Sequence, residues 1–440
     1  MDQCSGKRRP SRASDPAEEW LDAAAAAAFL GVKRATLYAY VSRGRVRSRG
    51  TTSGRRRAYA RSDLERLRAH REARAGHGPA AAGALRWGEP VLDTAISEIG
   101  DVPTYRGHSA LALASSVSFE AAAELLWGGV LELPVCWSPL AEELARRPRG
   151  ARRVWLAPGC RGAWGRLPAE GRFVDIARLV LAAQALVDDA RFDASEAAIR
   201  RTGRTIVRSI AVSYGLRAGY ERAVEAAGHG RIAASFACAL GVRPTRRHLA
   251  AIDQALVLCA DHGLNASTFA CRVAASAGAD PYSCVAAGLA TLGGSRHGGA
   301  SERVAALIED VGGPERATRH IRELLRRGEP IPGFGHPLYP SGDPRARMLL
   351  ATARRLAPRI RRLRVIEAIV DAAEIVAGEL PNLDLGLAAL GCALRLPRGA
   401  ELALFALGRS AGWLAHALEQ RQSGVLLRPR ARFVGPGASE

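Results

Sequence analysis

The segment from Pro332 to Arg345 places a histidine and an arginine, His336 and Arg345, nine positions apart behind a turn rich in glycine and proline. An imidazole N–H can donate a hydrogen bond to a carbonyl oxygen that gains negative charge during a reaction. A guanidinium can bind a carboxylate through two parallel N–H bonds, a geometry that the ammonium group of lysine cannot reproduce. The pair therefore predicts a binding site for a small carboxylated ketone.

Several more acid–base and cationic side chains stand beside glycine, proline or asparagine in the second half of the chain. They are His262 in Asp-His-Gly-Leu-Asn, His297 in Ser-Arg-His-Gly-Gly, Asp384 in Pro-Asn-Leu-Asp, Arg409 after Gly408, and Arg428 in Arg-Pro-Arg. Glycine, proline and asparagine interrupt helices, and such interruptions let side chains and free backbone N–H groups converge on a ligand. Between the interruptions, apolar residues recur at spacings of three and four, so the body of the chain is predicted to be all-α.

These motifs, in this order, resemble the citrate synthase family, and the likeness extends from about Ala95 to the C-terminal Arg-Pro-Arg segment. The resemblance implies a mainly α, all-helical body of two domains, of which the smaller, at roughly residues 300–400, closes over the substrates and excludes water. It also implies a homodimer with shared active sites. The implied reaction condenses acetyl-CoA with oxaloacetate and water to give citrate and CoA, with no cofactor and no metal.

The resemblance assigns a role to each motif residue. Asp384 is the general base for acetyl-CoA, His297 donates to the thioester oxygen, and His336 polarises the oxaloacetate carbonyl. The groups expected to hold the oxaloacetate carboxylates are His262, Arg345, Arg409 and, from the partner subunit, Arg428. The turn expected to contact CoA contains Ile331, Gly333, Phe334 and Gly335. Because this site is strongly cationic, oxaloacetate is expected to bind first.

The chain departs from the usual family pattern near two of these residues. Arg296 precedes His297, where a neighbouring cation would favour the neutral imidazole, and Leu385 replaces the usual aromatic after Asp384. One methylene contributes only about 1 to 3 kcal/mol of discrimination, so 2-methylcitrate synthase, acting on propionyl-CoA, is an alternative. A citryl-CoA lyase and a metabolite-sensing transcription regulator without turnover are two further candidates, although a sensor would not need Asp384.

The N-terminal part of the chain is a separate basic module. Residues 1–78 hold 18 Lys or Arg against 8 Asp or Glu, so half of the net charge of +20 lies in less than a fifth of the length. The predicted organisation is a flexible basic arm at 1–18, a winged helix-turn-helix domain at 19–72, a linker rich in Ala, Gly and Pro at 73–85, and a citrate synthase-like body at 86–440.

This module resembles the winged helix-turn-helix heads of MerR-type and excisionase-type proteins, in which the second helix enters the major groove and a basic wing contacts phosphate. The predicted helices are Ala23–Leu30 and Lys33–Val41, with a core of Leu30, Val32, Leu37 and Val41. The residues expected to contact DNA are Lys33, Arg34, Thr36, Tyr38, Arg55, Arg56 and Arg57. An arginine-rich face that is only solvated is the alternative.

Bulk properties limit the class of protein. A chain of 440 residues exceeds the roughly 250 to 300 at which one core stops growing, so at least two domains are expected. Eight cysteines without a Cys-x-x-Cys pair favour reduced thiols over a zinc site or a disulfide framework. We expect a cytoplasmic protein without membrane contact, because the N-terminus has no apolar signal segment and no charge-free apolar run approaches ~18 residues.

Overall fold

The computed structural model describes residues 20–30, 32, 34–42, 46–50, 57–64, 92–142, 161–164, 167–168 and 170–429. Three of the residues expected to contact DNA, Lys33, Arg55 and Arg56, lie outside this set. The chain divides into two compact units, a head (Met1–Leu92 with Arg428–Glu440) and a body (Asp93–Leu427). Among the described residues, no helix combines the length and the apolarity that crossing a bilayer requires.

The described part of the head combines two helices with three short antiparallel strands. The elements are β1 (Trp20–Asp22), α1 (Ala23–Leu30), α2 (Arg34–Ser42), β2 (Ser48–Gly50) and β3 (Arg57–Ala60). Strand β3 lies between β1 and β2 and pairs with both. The Asp22 carboxylate accepts hydrogen bonds from the Ala24 and Ala25 N–H groups, both at 2.8 Å, and so caps the first turn of α1.

The core of the head agrees with the sequence prediction. Leu30 and Leu37 are buried, and Val32 and Val41 pack against the same cluster while partly exposed. The observed bounds of α1 match the predicted ones, and α2 is described from Arg34 because Lys33 lies outside the described residues.

The body opens with a small antiparallel sheet that the sequence did not predict: β4 (Ser97–Ile99), β5 (Pro103–Tyr105) and β6 (His108–Ser109). Helices follow, so the mainly α prediction is confirmed. Their bounds are α3 (Ala110–Ser116), α4 (Phe119–Gly128), α5 (Arg161–Trp164), α6 (Phe173–Ala185), α7 (Glu196–Ser213), α8 (Tyr220–Ala227), α9 (Ile232–Ala239), α10 (Arg246–Cys259), α11 (Ala266–Ser276), α12 (Pro281–Leu292), α13 (Gly299–Val311), α14 (Ala317–Arg326), α15 (Pro344–Leu356), α16 (Arg361–Ala377), α17 (Leu383–Leu394) and α18 (Ala400–Ser423). Short 3-10 turns occur at Asp189–Phe192, Tyr214–Arg217 and Pro314–Arg316.

The body contains two apolar cores. The larger draws on helices α3 to α12 and on α18, and the smaller draws on α13 to α17. Helices α15 and α17 contribute to both cores. Leu349 and Leu387 lie in the larger one, and Leu350 and Leu385 lie in the smaller one. The smaller core falls between residues 304 and 393, within the region predicted to form a mobile domain; its movement stays a prediction.

Helix α18 runs through the larger core and is buried along most of its 24 residues. It packs closely on α10, because Gly408 has no side chain there: a Cβ atom at this position would lie 2.6 Å from the Leu256 carbonyl oxygen. This close packing sets the position of the next residue, Arg409, which is only 1% exposed.

Candidate active site

Two turns that carry predicted site residues are joined by backbone hydrogen bonds. The Gly335 N–H donates to the Leu380 carbonyl at 2.9 Å, and the Asn382 N–H donates to the Gly333 carbonyl at 2.9 Å. The side-chain amide of Asn382 also donates to the Gly335 carbonyl at 3.1 Å. This short ladder fixes the turn before His336 against the turn before Asp384.

Asp384 lies in the first turn of α17. The Asn382 side chain caps this helix by accepting a hydrogen bond from the Asp384 N–H at 3.1 Å. The Asp384 carboxylate accepts a hydrogen bond from the Ser301 hydroxyl at 2.8 Å, which links it to α13, the helix that starts just after His297. Burial raises the pKa of Asp384, while the hydrogen bond from Ser301 and the charge of Arg345 oppose that rise. Such a carboxylate is a stronger base than an exposed one.

His297 sits in the tight turn between α12 and α13. This turn requires glycine at the next position, because a Cβ atom on Gly298 would lie 2.4 Å from the Leu292 carbonyl oxygen. The Nε2 atom of His297 is 2.9 Å from the hydroxyl of Ser267, and Trp413 Nε1 donates to the same hydroxyl at 3.3 Å. Burial and the charge of Arg409 lower the pKa of His297 to about 4. The ring is therefore neutral at pH 7.

The cause of this neutral state differs from the one expected from the sequence. Arg296, the adjacent cation, is exposed, and the cation that lowers the pKa of His297 is Arg409. Phe405 lies between the two groups: its ring centroid is 6.0 Å from that of His297, and the Arg409 guanidinium carbon is 4.7 Å from the same ring.

His262 and His336, predicted to bind the same ligand, are in contact. Their ring centroids are 5.2 Å apart in an edge-to-face arrangement. The Leu338 N–H donates to Nδ1 of His336 at 3.1 Å, so the proton of a neutral His336 ring lies on Nε2. Burial and the charge of Arg345 lower the pKa of His336. Burial together with Arg345, Arg409 and His336 holds the pKa of His262 well below its usual range.

Arg345 is buried in a bidentate ion pair inside the protein. Its Nε and Nη2 atoms donate to the carboxylate of Asp343 at 3.0 and 2.8 Å, and both side chains are almost completely inaccessible. The sequence led us to expect that this guanidinium binds a ligand carboxylate through two bonds. In the structure, the carboxylate of Asp343 occupies the Nε–Nη2 edge of the Arg345 guanidinium, and the Nη1 atom is not part of that ion pair.

Arg409 has an unpaired donor. Its Nε atom donates to the Cys259 carbonyl at 2.8 Å, whereas Nη1 is buried and has no hydrogen-bond partner among the described residues. A buried, unsatisfied guanidinium N–H is costly unless an anion meets it. This atom therefore marks a position suited to a ligand carboxylate.

A second layer that the sequence did not predict supports the His262 turn. The buried carboxylate of Asp261 lies 3.3 Å from His416 Nε2 and accepts hydrogen bonds from the hydroxyl of Ser97 and from the Gly263 N–H. Burial raises the pKa of Asp261, but His416, Arg409 and the Ser97 hydrogen bond outweigh it and leave that pKa lowered. The contacts of Asp261 with Ser97 and His416 join residues more than 150 positions apart, so no local pattern could reveal them.

The remaining residues predicted for the active site are less closely grouped. Ile331 and Phe334 are buried in the smaller core, Gly333 is buried, and Gly335 is exposed, so contact of this turn with CoA stays a prediction. Arg428 is exposed beyond the end of α18, and its expected place in the site of a partner subunit also stays a prediction.

In the head, the described residues of α2 separate by face. Arg34, Thr36 and Tyr38 are exposed and Leu37 is fully buried. Arg57 is exposed at the start of β3, where its Nη1 atom donates to the Ser48 hydroxyl at 3.3 Å. The helix thus presents polar and aromatic side chains on the surface that a recognition helix would use.

The body is a helical protein with three carboxylates, three imidazoles of lowered pKa and two buried arginines. Such a set of groups is typical of proteins that bind small anions and exchange protons with them. The sequence model for the citrate synthase C-terminal domain matches residues 84–430, and the chain belongs to the citrate synthase family. A helix-turn-helix domain model matches residues 20–72.

Individual relatives agree with this assignment. Citrate synthase 2 of Bacillus subtilis is 39% identical over 199 residues, which cover 44% of this chain and 54% of the relative, so the chain spans about half the length of that protein. The 2-methylcitrate synthase of Mycobacterium tuberculosis is 32% identical over 365 residues, covering 79% and 89%. The structure of Thermoplasma acidophilum citrate synthase in ternary complex with carboxymethyl coenzyme A and oxaloacetate is similar with a TM-score of 0.66 at 26% identity, covering 80% of this chain and 95% of that chain.

Proposed function

We propose that the body is an acyltransferase of the citrate synthase type, which condenses acetyl-CoA with oxaloacetate and water to give citrate and CoA. One observation carries the proposal: the turns before His336 and Asp384 are hydrogen-bonded to each other, and Ser301 ties Asp384 to the helix that follows His297. Three segments of sequence thereby bring a base and two neutral donors to one region. The enol adds to the oxaloacetate carbonyl to form citryl-CoA, and water then cleaves its thioester bond and releases CoA. These steps are proton transfers, an addition and a hydrolysis, so the proposed reaction needs no cofactor.

The first step is removal of a methyl proton from acetyl-CoA. Asp384 accepts this proton, and its raised pKa makes it a better base for a weakly acidic C–H group. His297 stabilises the enolate oxygen as a neutral donor. The Ser267 hydroxyl is 2.8 Å from Oδ1 of Asn265 and 2.9 Å from Nε2 of His297; in the rotamer that donates to Nε2, the ring proton lies on Nδ1, where it can donate to the thioester oxygen.

The second substrate, oxaloacetate, meets donors that are already oriented. The Nε2–H of His336 polarises the carbonyl that the enol attacks, and the Nη1 end of Arg409 binds a carboxylate. Asp343 neutralises the charge of Arg345, so the site is less cationic than the arginine count implies. The Nη1 donor of Arg409 has no partner among the described residues, which favours binding of the dianion before the acyl-CoA.

A thiol-release assay with oxaloacetate and acetyl-CoA tests the proposal. Asp384→Asn removes the base with little change in volume and is expected to lower kcat by about 100- to 10,000-fold while oxaloacetate still raises the melting temperature. The matched control is Asp371→Asn, which changes an exposed carboxylate on α16. Equal turnover in the wild type and Asp384→Asn would show that Asp384 is not the general base.

The same assay separates the competing activities. Propionyl-CoA is the second acyl donor to test, because the 2-methylcitrate synthase of Mycobacterium tuberculosis matches 79% of the chain. A higher kcat/KM for propionyl-CoA would assign 2-methylcitrate synthesis, and cleavage of citryl-CoA to acetyl-CoA and oxaloacetate without net condensation would assign a lyase. Stabilisation by oxaloacetate without turnover of any acyl-CoA would favour a metabolite sensor.

We infer that the head binds duplex DNA. The inference is supported by the matched helix-turn-helix model, the exposed face of α2 and the charge excess of residues 1–78. A protein with these domains would act in the cytoplasm as a homodimer, whose two heads would contact two half-sites. Fluorescence anisotropy with labelled duplex DNA measures the binding, and an affinity that does not fall with added salt would exclude phosphate contact.

A further inference from the structure

Tyr339 lies among the residues assigned to oxaloacetate, although neither the motifs nor the proposed mechanism uses it. Its hydroxyl oxygen is 2.9 Å from Nε2 of His262. Its ring centroid is 4.9 Å from that of His336, and the Arg345 guanidinium carbon is 5.6 Å from the same ring. The side chain is only 4% exposed. One phenol therefore touches three of the groups expected to hold the substrate.

The backbone holds this phenol in place. The Tyr339 N–H donates to the His336 carbonyl at 3.1 Å, and the Gly342 N–H donates to the Tyr339 carbonyl at 3.0 Å. Two consecutive turns thus fix the side chain relative to His336. Because the ring is buried and its backbone is bonded on both sides, the hydroxyl oxygen has one defined position.

The direction of the hydrogen bond follows from the donors and acceptors present. A neutral imidazole carries one N–H and one bare nitrogen, and His262 is neutral because its pKa is far below the usual range. Burial raises the pKa of Tyr339 to about 12, so its hydroxyl keeps its proton. Within the described part of the chain, His262 is the one hydrogen-bond partner of this hydroxyl. Donation from the hydroxyl to Nε2 satisfies both groups, whereas the reverse would leave the phenol proton without an acceptor.

We propose that Tyr339 is a positioning residue of the oxaloacetate site, whose hydroxyl donates to Nε2 of His262 and thereby keeps the ring proton on Nδ1. The inference rests on the proposed function and deepens it. His262 then offers an N–H to a substrate carboxylate from a fixed ring orientation. Such an interaction holds the substrate equally in the ground state and the transition state, so its loss raises KM and leaves kcat unchanged.

The first test compares Tyr339→Phe with the wild type by thiol release and by calorimetric titration with oxaloacetate alone. The matched control is Tyr282→Phe, which removes another buried hydroxyl, one that donates to Asp188 at 2.6 Å in a different part of the body. We expect Tyr339→Phe to raise the oxaloacetate KM and Kd about three- to tenfold, with kcat and the acetyl-CoA KM within about twofold of wild type. The control is expected to leave all four constants unchanged.

An oxaloacetate Kd in Tyr339→Phe equal to that of the wild type overturns the proposal, as does a fall in kcat at constant Kd. A wild type that binds oxaloacetate without turnover contradicts the proposed reaction, and the calorimetric comparison still decides the role of Tyr339. A wild type that neither binds oxaloacetate nor turns it over contradicts both the proposed reaction and the role of Tyr339.

A second measurement depends on neither activity nor ligand. Nitrogen-15 NMR of histidine-labelled protein reports which ring nitrogen carries the proton, and His262→Gln identifies the signal among the ten histidines of the chain. We expect a single Nδ1–H form for His262 in the wild type and a mixture of both forms in Tyr339→Phe. The same form in both proteins would overturn the proposal.

Discussion

The guanidinium of Arg345 is paired through Nε and Nη2 with the carboxylate of Asp343, two residues earlier in the chain. Asp343 also caps α15 by accepting a hydrogen bond from the Arg345 N–H at 3.0 Å. One carboxylate therefore starts the helix, orients the arginine and neutralises its charge. A ligand approaching Arg345 meets a guanidinium whose plane is already fixed.

Removing that carboxylate should destabilise the body strongly. In Asp343→Ala, the guanidinium of Arg345 stays buried without a counter-charge, which typically costs about 3 to 5 kcal/mol of the free energy of unfolding. Urea unfolding followed by circular dichroism measures the change. Glu329→Ala is the matched control, because Glu329 pairs with an arginine two residues away on the exposed surface, and it is expected to leave the unfolding midpoint unchanged. Equal midpoints for the two variants would contradict the structural role of the buried pair.

The stability of the body should fall with acid because His297 is kept neutral. An unfolded histidine takes up a proton below pH 6.5, whereas folded His297 does so only near its pKa of about 4. This difference has no effect above pH 6.5, and it destabilises the folded protein progressively as the pH falls from 6.5 towards 4. His297→Gln removes this titration, so its melting temperature should fall less between pH 7 and pH 5.

The control for this pH series is His108→Gln, which changes an exposed histidine. It should keep the pH dependence of the wild type. Parallel curves for the wild type and His297→Gln would mean that His297 does not contribute to acid destabilisation.

The sequence predicted the helices and core of the head but not every element of the body, and the reason is physical. In the head, the resemblance to winged helix-turn-helix modules was enough to identify Leu30 and Leu37 as core residues. The small sheet at the start of the body, β4 to β6, escaped prediction because each strand is only two or three residues long. Strands of that length carry too little alternation to stand out in a helical chain.

For the proposed site, the motifs indicated the candidate reactive residues but gave no sign of their hydrogen-bond partners. Ser301 and Ser267 contact Asp384 and His297 across 83 and 30 positions of sequence, and a serine gives no local sign of such a contact. Asp343 was within reach of sequence reasoning, because an aspartate before proline is a common helix start and stands two residues from the predicted arginine.

The salt dependence of DNA binding should reveal which residues of the head contact phosphate. Arg57→Ala removes an exposed cation of β3 and is expected to reduce the slope of log affinity against log salt by about 1. Tyr38→Ala removes a half-exposed aromatic from α2 and is expected to weaken binding without changing that slope. Arg319→Ala, an exposed arginine of α14 in the body, is the control and should change neither quantity. A slope unchanged by Arg57→Ala would show that Arg57 does not contact phosphate.

Mixed dimers should show whether two subunits build each site. If Arg428 of one subunit completes the site that holds Asp384 of the other, a dimer of Arg428→Ala with Asp384→Asn contains one intact site. Random co-expression makes half of the dimers mixed, so about a quarter of the wild-type activity should return although each variant alone is nearly inactive. Asp384→Asn with His297→Gln is the control, because both residues belong to the same subunit's site and no mixed dimer holds an intact one. Recovery in neither pair would place Arg428 outside the catalytic assembly.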